Sequence, residues 1–192
     1  MSQASASRHA LQQRVAAAIL EAAASVLATS GDHASMSDVA AAAGVGRATV
    51  YRYFPNRQAM LDELADLAVN AAGERLAASR IDEIAVRDGV TRAVRALVDV
   101  GDLFIVLARE RLRPQPKEFE RQVFGPLRRL LERGQATGEV RDDIHSAWLT
   151  ESLVGIVSSV LSSHPARGRD DTVAAITSLF LEGAAGGASP LQ

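Results

Sequence analysis

The sequence predicts an all-α protein of about nine helices, and three observations carry that prediction. Apolar residues make up 47% of the 192-residue chain but aromatics only 4%, so the core is aliphatic and rich in alanine, the strongest helix former. Apolar side chains recur at spacings of three and four, the period of one helix face. The alternation that marks strands is absent, and β-branched runs are scarce.

A first helix is expected from about His9 to Thr29, where Leu11, Val15, Ile19, Ala22 and Val26 share a face and Gly31 stops the run. Glu21 and Ser25 interrupt its apolar stretch, so it reads as a helix and not as a targeting segment. Met1 to Ser7 are small and polar and are expected to be unstructured. Ser35 or Ser37 caps a very short second helix reaching Ala43, with Asp38 near its positive end. Gly44 breaks the chain before a third short helix, Arg47 to Tyr53. Pro55 ends that helix, because the residue before a proline is pushed out of the α region. Asn56 caps a fourth helix, Arg57 to Ala78, with Met60, Leu61, Leu64, Leu67 and Ala68 facing inward. Further helices are expected at 82–100, 102–112, 117–136, 143–163 and 170–182. Breaks fall at Gly101, Arg113–Pro116, Ala136–Val140 and His164–Gly168, and Gly125-Pro126 is expected to kink its helix. The tail from Gly183 reads as flexible.

Composition narrows the function. Without cysteine there is no disulfide, thiolate metal site or cysteine nucleophile. His9, His33, His145 and His164 are scattered, and no pair has metal-ligand spacing. No nucleophile–base pair, phosphate loop or carboxylate pair appears. The expectation is therefore a protein with no catalytic residues, metal or cofactor. The longest later apolar run, Leu153 to Leu161, is far short of the roughly 20 residues that span a bilayer. A cytoplasmic protein without a membrane partner is expected.

The net charge of −2 hides an asymmetry. Residues 1–60 carry five arginines against three acids, while the remainder carries 16 bases against 20 acids. A basic head on an acidic body fits a polyanion at one end. The densest part is Gly44 to Arg57, where Arg47, Arg52 and Arg57 surround Tyr51 and Tyr53 with no acid among them. The stretch before and through it has physical logic. Val39, Ala40 and Ala43 face inward, and Ala40 is small where a second helix crosses it. Gly44 supplies the positive φ of a sharp turn, Val45 plugs the turn, and Val50 anchors the second helix. This is a helix-turn-helix, whose second helix enters the DNA major groove.

The segment "MSDVAAAAGVGRATVYRYFPNRQAML" resembles the DNA-binding domain of the TetR (tetracycline-repressor-like) family, through Ala43-Gly44-Val45, Tyr51-Arg52-Tyr53-Phe54, Arg57 and Leu61. The resemblance covers residues 10–62; arginine stands at 57 where lysine is commoner, and "GQATGEVRDDIHSAWL" is similar to the approach to the family's penultimate helix. It implies a three-helix DNA-binding domain over 8–55 and a helical ligand-binding and dimerisation domain over 56–185. It implies that Arg47 and Ala48 meet base edges, and that Thr49, Tyr51 and Tyr53 donate hydroxyls to phosphates. Arg57 would neutralise a phosphate, Ser35 and Ser37 would hold the backbone, Phe54 is core, and Arg52 reads as a surface charge. The implied function is a ligand-responsive regulator, a repressor released from a palindromic double-stranded operator by a small-molecule effector that shifts the fourth helix. An activator or a ligand-independent DNA-binding protein is the alternative.

The body yields three further expectations. The apolar faces suggest a pocket between the fourth helix and the helices at 82–163, lined by Leu97, Phe104, Leu107, Phe119, Phe124 and Trp148. Arg109, Arg111 and Arg113 read as a solvated helix end. Leu149, Leu153, Ile156, Val157 and Val160, with Ile176, Leu179 and Phe180, read as the homodimer seam, a four-helix bundle about a two-fold axis. The alternative is that these stripes pack the core of a monomer.

Overall fold

The computed structural model describes residues 3–112, 114–163 and 168–185. Arg113, His164 and residues 186–192, for which expectations were given, lie outside the described residues, as does the side chain of His9. The helices are α1 (Gln3–Ser30), α2 (Met36–Ala42), α3 (Arg47–Tyr53), α4 (Arg57–Ala78), α5 (Val86–Val98), α6 (Asp102–Arg109), α7 (Pro116–Phe119), α8 (Gly125–Thr137), α9 (Ser146–Ser162) and α10 (Arg169–Ala184). A π-helical turn, Glu120–Phe124, joins α7 and α8 into one rod, which makes nine helical units among the described residues. Strands are absent there, apart from an isolated bridge between Val140 and Ala185.

Several boundaries differ from expectation for local reasons. The chain is already helical at Gln3, so the unstructured segment expected before Arg8 does not hold for the residues described. Helix α5 starts late because Arg80 takes a left-handed conformation (φ +49°) and leads into a 3-10 turn, Ile81–Glu83. Helix α6 stops at Arg109, and Arg111 follows with φ +50°. At Gly125-Pro126, where the sequence predicts a kink, the helix passes through the π turn. Pro126 has no N–H to extend the α ladder, and the Gly125 N–H reaches back to the Glu120 carbonyl. A Cβ on Gly125 would lie 2.9 Å from that same oxygen, so glycine is needed there.

Two cores form. The head core gathers Ile19, Leu27, Val39, Val50, Phe54 and Met60, and continues past residue 55 through Leu64. The body core gathers Leu76, Leu97, Leu127, Leu131, Leu153 and Ile176 among others. Helices α4 and α6 belong to both. Met60, Leu61 and Leu64 of α4 are in the head and Ala68, Ala72 and Leu76 in the body. In α6, Val106 is in the head core and Phe104 in the body core, while Leu103 and Ile105 touch both. Any movement of α4 relative to the body therefore involves α6.

The structure corrects four expectations. Leu67 is 40% exposed and does not face inward. Trp148 is 72% exposed on α9 and is not enclosed by the body. Leu97 and Phe104 are sealed in the body core, with Leu107, Phe119 and Phe124 packed against it. Of the residues read as a dimer seam, Leu149, Leu153, Val157, Ile176 and Phe180 are buried in the chain's own core. Each of the two helices has a wide apolar arc, and the inner part of it is used at home. Leu179, at 61% exposure, and the half-buried Ile156 and Val160 remain on the outside, together with Trp148. Arg109 is no solvated charge either. It donates to the Ala28 carbonyl at 2.6 Å and the Ser162 carbonyl at 3.4 Å.

Candidate nucleic-acid interface

The head presents α3 on a turn that the sequence builds residue by residue. Ser35 caps α2 with a full capping box. Its hydroxyl accepts the Asp38 N–H at 3.2 Å, and the Asp38 carboxylate accepts the Ser35 N–H at 2.8 Å and its hydroxyl at 2.7 Å. The Ser35 hydroxyl, then its backbone N–H, hold the Asp38 carboxyl below its usual range. Ser37, the other candidate cap, is half-buried on the first turn of α2. Gly44 turns the chain with φ +66°, and the Val45 N–H closes the turn on the Ala40 carbonyl at 3.0 Å. Nothing lies within 4 Å of a Cβ built on Gly44, so its requirement is conformational and not one of space. Ala40 and Val50 are buried and Val45 half-buried, as the helix-turn-helix reading requires.

One face of α3 is free. Arg47, Ala48, Tyr51 and Arg52 are exposed, and Thr49 and Tyr53 are half-buried. The Arg47 guanidinium lies 6.0 Å from the Tyr51 ring centroid, one turn away, and that of Arg52 lies 5.3 Å from the Tyr53 ring. Neither arginine forms an ion pair with an acid among the described residues. Two uncompensated cations and the hydroxyls of Thr49, Tyr51 and Tyr53 thus share a helix of seven residues, narrow enough for a major groove about 12 Å wide. The chemistry on offer is bidentate hydrogen bonding to a base edge from Arg47, with hydroxyl donation to flanking phosphates.

Arg57 is placed differently from the other residues expected on DNA. Asn56 caps α4 by accepting the Ala59 N–H at 2.8 Å, which puts Arg57 at the first helical position. There its guanidinium forms a two-pronged pair with Glu110, at 2.8 and 2.7 Å. Sequence reasoning missed Glu110, since the two residues are 53 positions apart. The only local signal was an acid set between arginines in "RERLR".

Elsewhere the described residues hold no group of three His, Cys, Asp or Glu that could hold a metal ion, and no helix long and apolar enough to cross a membrane. The body has an open cleft of about 390 Å³ between the end of α4 and the π turn, lined by Gly73, Leu76, Arg80, Gln122, Arg129 and others. None of the six residues expected to line a pocket borders it.

Comparison with known proteins places this geometry. Residues 19–64 match the family model described as bacterial regulatory proteins, tetR family. A stretch of 70 residues is 53% identical to the HTH-type transcriptional repressor LfrR of Mycolicibacterium smegmatis. That match covers 33% of this chain and spans only 35% of the repressor's length. The fold agrees over more of the chain. The crystal structure of LfrR from Mycobacterium smegmatis in complex with proflavine superposes with a TM-score of 0.75 at 25% identity, covering 90% of this chain and 97% of that one. AibR in complex with isovaleryl coenzyme A and operator DNA gives 0.68 at 19% identity, covering 86% and 97%.

Proposed function

The chain belongs to the TetR family of bacterial transcription regulators, and on that premise we propose that it is a dimeric repressor released from a palindromic operator by a small molecule. The observation that carries the DNA half of this reading is the free face of α3. Arg47 and Ala48 open the helix and read bases; Thr49, Tyr51 and Tyr53 fix its position on phosphates, with Ser35 and Ser37 at the near end of α2. A seven-residue helix covers one half-site, so two copies are needed for tight and specific binding.

The second copy docks on the outer faces of α9 and α10. Trp148, Ile156, Val160 and Leu179 form that face. Gly155 sits among them, with open space around a Cβ built on it, so a partner helix can approach closely. Release by an effector is supported by the shared helices: α4 runs from the head core into the body core beside the cleft. At Gly73 the Gln122 side chain of the π turn occupies the place of a Cβ, and Gln122 donates to Asn70 at 2.8 Å. A molecule entering beside Gly73 therefore pushes on α4 directly. LfrR was crystallised with proflavine and AibR with an acyl coenzyme A, and a small-molecule effector for this chain is proposed by that analogy. Selection from a pool of random duplexes tests the reading: the protein is expected to enrich an inverted repeat. Enrichment of unrelated sequences, or of none, would argue against it.

A further inference from the structure

Arg57 and Glu110 each stand at the wrong end of their own helix. Arg57 is the first residue of α4, where the helix dipole disfavours a cation, and Glu110 closes α6, where it disfavours an anion. Neither residue helps its own helix, so each is placed for something outside it. Among the described residues each has the other as a partner: both guanidinium prongs of the pair are filled, and the Glu110 side chain is 7% exposed against 35% for Arg57. The start of a helix with an arginine on it is suited to an anion. Here the anion is a carboxylate carried by the body.

We infer that Glu110 is an internal competitor of the DNA phosphate for Arg57, and that the position of α6 sets how much charge the head offers to DNA. The inference rests on the DNA-binding reading above. In the arrangement seen, the pair is neutral. A phosphate approaching Arg57 meets the Glu110 carboxylate as well, and gains no net counterion release from this residue. Arg57 cannot simply swing away, because a carboxylate this buried and left without its partner is strongly disfavoured. The two separate when α6 withdraws. Its end is held on both sides: Arg109, the neighbour of Glu110, donates to the Ala28 carbonyl of the head and to the Ser162 carbonyl of α9. One turn of α6 thus links the head, the phosphate-binding start of α4 and the helix assigned to the dimer. The arrangement seen is the one with weaker DNA affinity.

Glu110→Gln keeps the size of the side chain and removes its charge. The probe is a labelled short duplex of random sequence, read by anisotropy over a range of salt, so that only the phosphate contribution is measured. The variant is expected to steepen the slope of log affinity against log salt by about 0.9 per half-site, which between 50 and 200 mM salt amounts to about 3.5-fold per half-site in its advantage over wild type. Arg57→Gln combined with Glu110→Gln, which removes both charges and strands neither, is expected to return the slope to that of wild type. Should Glu110→Gln fail to fold by circular dichroism, Glu110→Asp, which withdraws the charge by one methylene, is expected to change the slope in the same direction. A Glu110→Gln protein that is folded and binds with an unchanged or weaker slope overturns the inference, and assigns Glu110 to holding Arg57 ready for DNA. So does a slope about 0.9 below that of wild type in the double variant, since Arg57 would then already be on a phosphate in the wild-type protein. Wild-type protein that binds no duplex at low salt refutes the DNA-binding reading itself, and the inference with it.

Discussion

Replacing Trp148 by alanine separates the two uses to which α9 can be put. In one chain the side chain is 72% exposed, so truncation removes little intramolecular packing. A tryptophan offers roughly 200 Å² for burial, of which about 140 Å² is left for a partner, worth at most about 3.5 kcal/mol per subunit at 25 cal/mol per Å². A two-fold axis makes every loss count twice. Taking about 2 kcal/mol per subunit, an ordinary value for a buried aromatic anchor, the dimer loses about 4 kcal/mol and its Kd rises about a thousandfold. Sedimentation across a concentration series reads the Kd, and circular dichroism checks the helix content. The expected result is a folded protein, dissociated at concentrations where wild type is dimeric. An unchanged Kd refutes the placement of the second copy on α9 and α10. A loss of helix content in monomer and dimer alike shows instead that Trp148 serves the chain's own fold.

Other consequences are open to the same kind of check. Arg47→Ala is expected to lose roughly 1–3 kcal/mol of specific binding and to relax preference at one base pair per half-site, read by titration of the selected duplex and its single-base variants. Tyr53→Phe is expected to weaken binding evenly across those duplexes, because phosphates carry no base identity. Gly44→Ala is expected to lower head stability by roughly 1–2 kcal/mol through its left-handed backbone alone, since there is room for the methyl group; unchanged thermal unfolding would contradict this. Ser35→Ala removes the cap of α2 and is expected to cost roughly 1 kcal/mol in a denaturant titration. Because Asp38 has a depressed pKa in the fold, its contribution is present at neutral pH and is lost as pH falls through the folded value. Ser35→Ala is therefore expected to flatten the acid end of the stability profile, and an unaltered profile would count against the capping box.

The head was legible in the sequence because its determinants are neighbours in the chain. Gly44 with its flanking Ala43 and Val45, the Ser35–Asp38 box and the Asn56 cap each act over at most four residues, and the structure holds all of them. The body was less legible for a physical reason. Around α9, Glu151, Ser152, Ser158, Ser159 and Ser162 mark a polar side, but the apolar arc through Ile156, Leu149, Val160, Leu153 and Val157 is so wide that periodicity cannot say which part of it meets the chain's own core. The choice was made by α6, α8 and α10, which pack on α9; Leu149, Leu153 and Val157 lie in one core and Trp148 is left out. The π turn was visible only as a proline and a glycine. The Arg57–Glu110 and Arg109–Ala28 contacts join residues 53 and 81 positions apart, and no local pattern announces them.

The central claim is that two copies of α3 occupy successive major grooves on one face of DNA, and hydroxyl-radical footprinting on the selected duplex tests it most directly. Wild-type protein is expected to protect two patches related by a dyad, one helical turn of about 34–36 Å or a multiple of it apart, with Arg47→Ala thinning both patches equally. A single protected patch at saturation, or two patches that Arg47→Ala leaves untouched, would contradict the account.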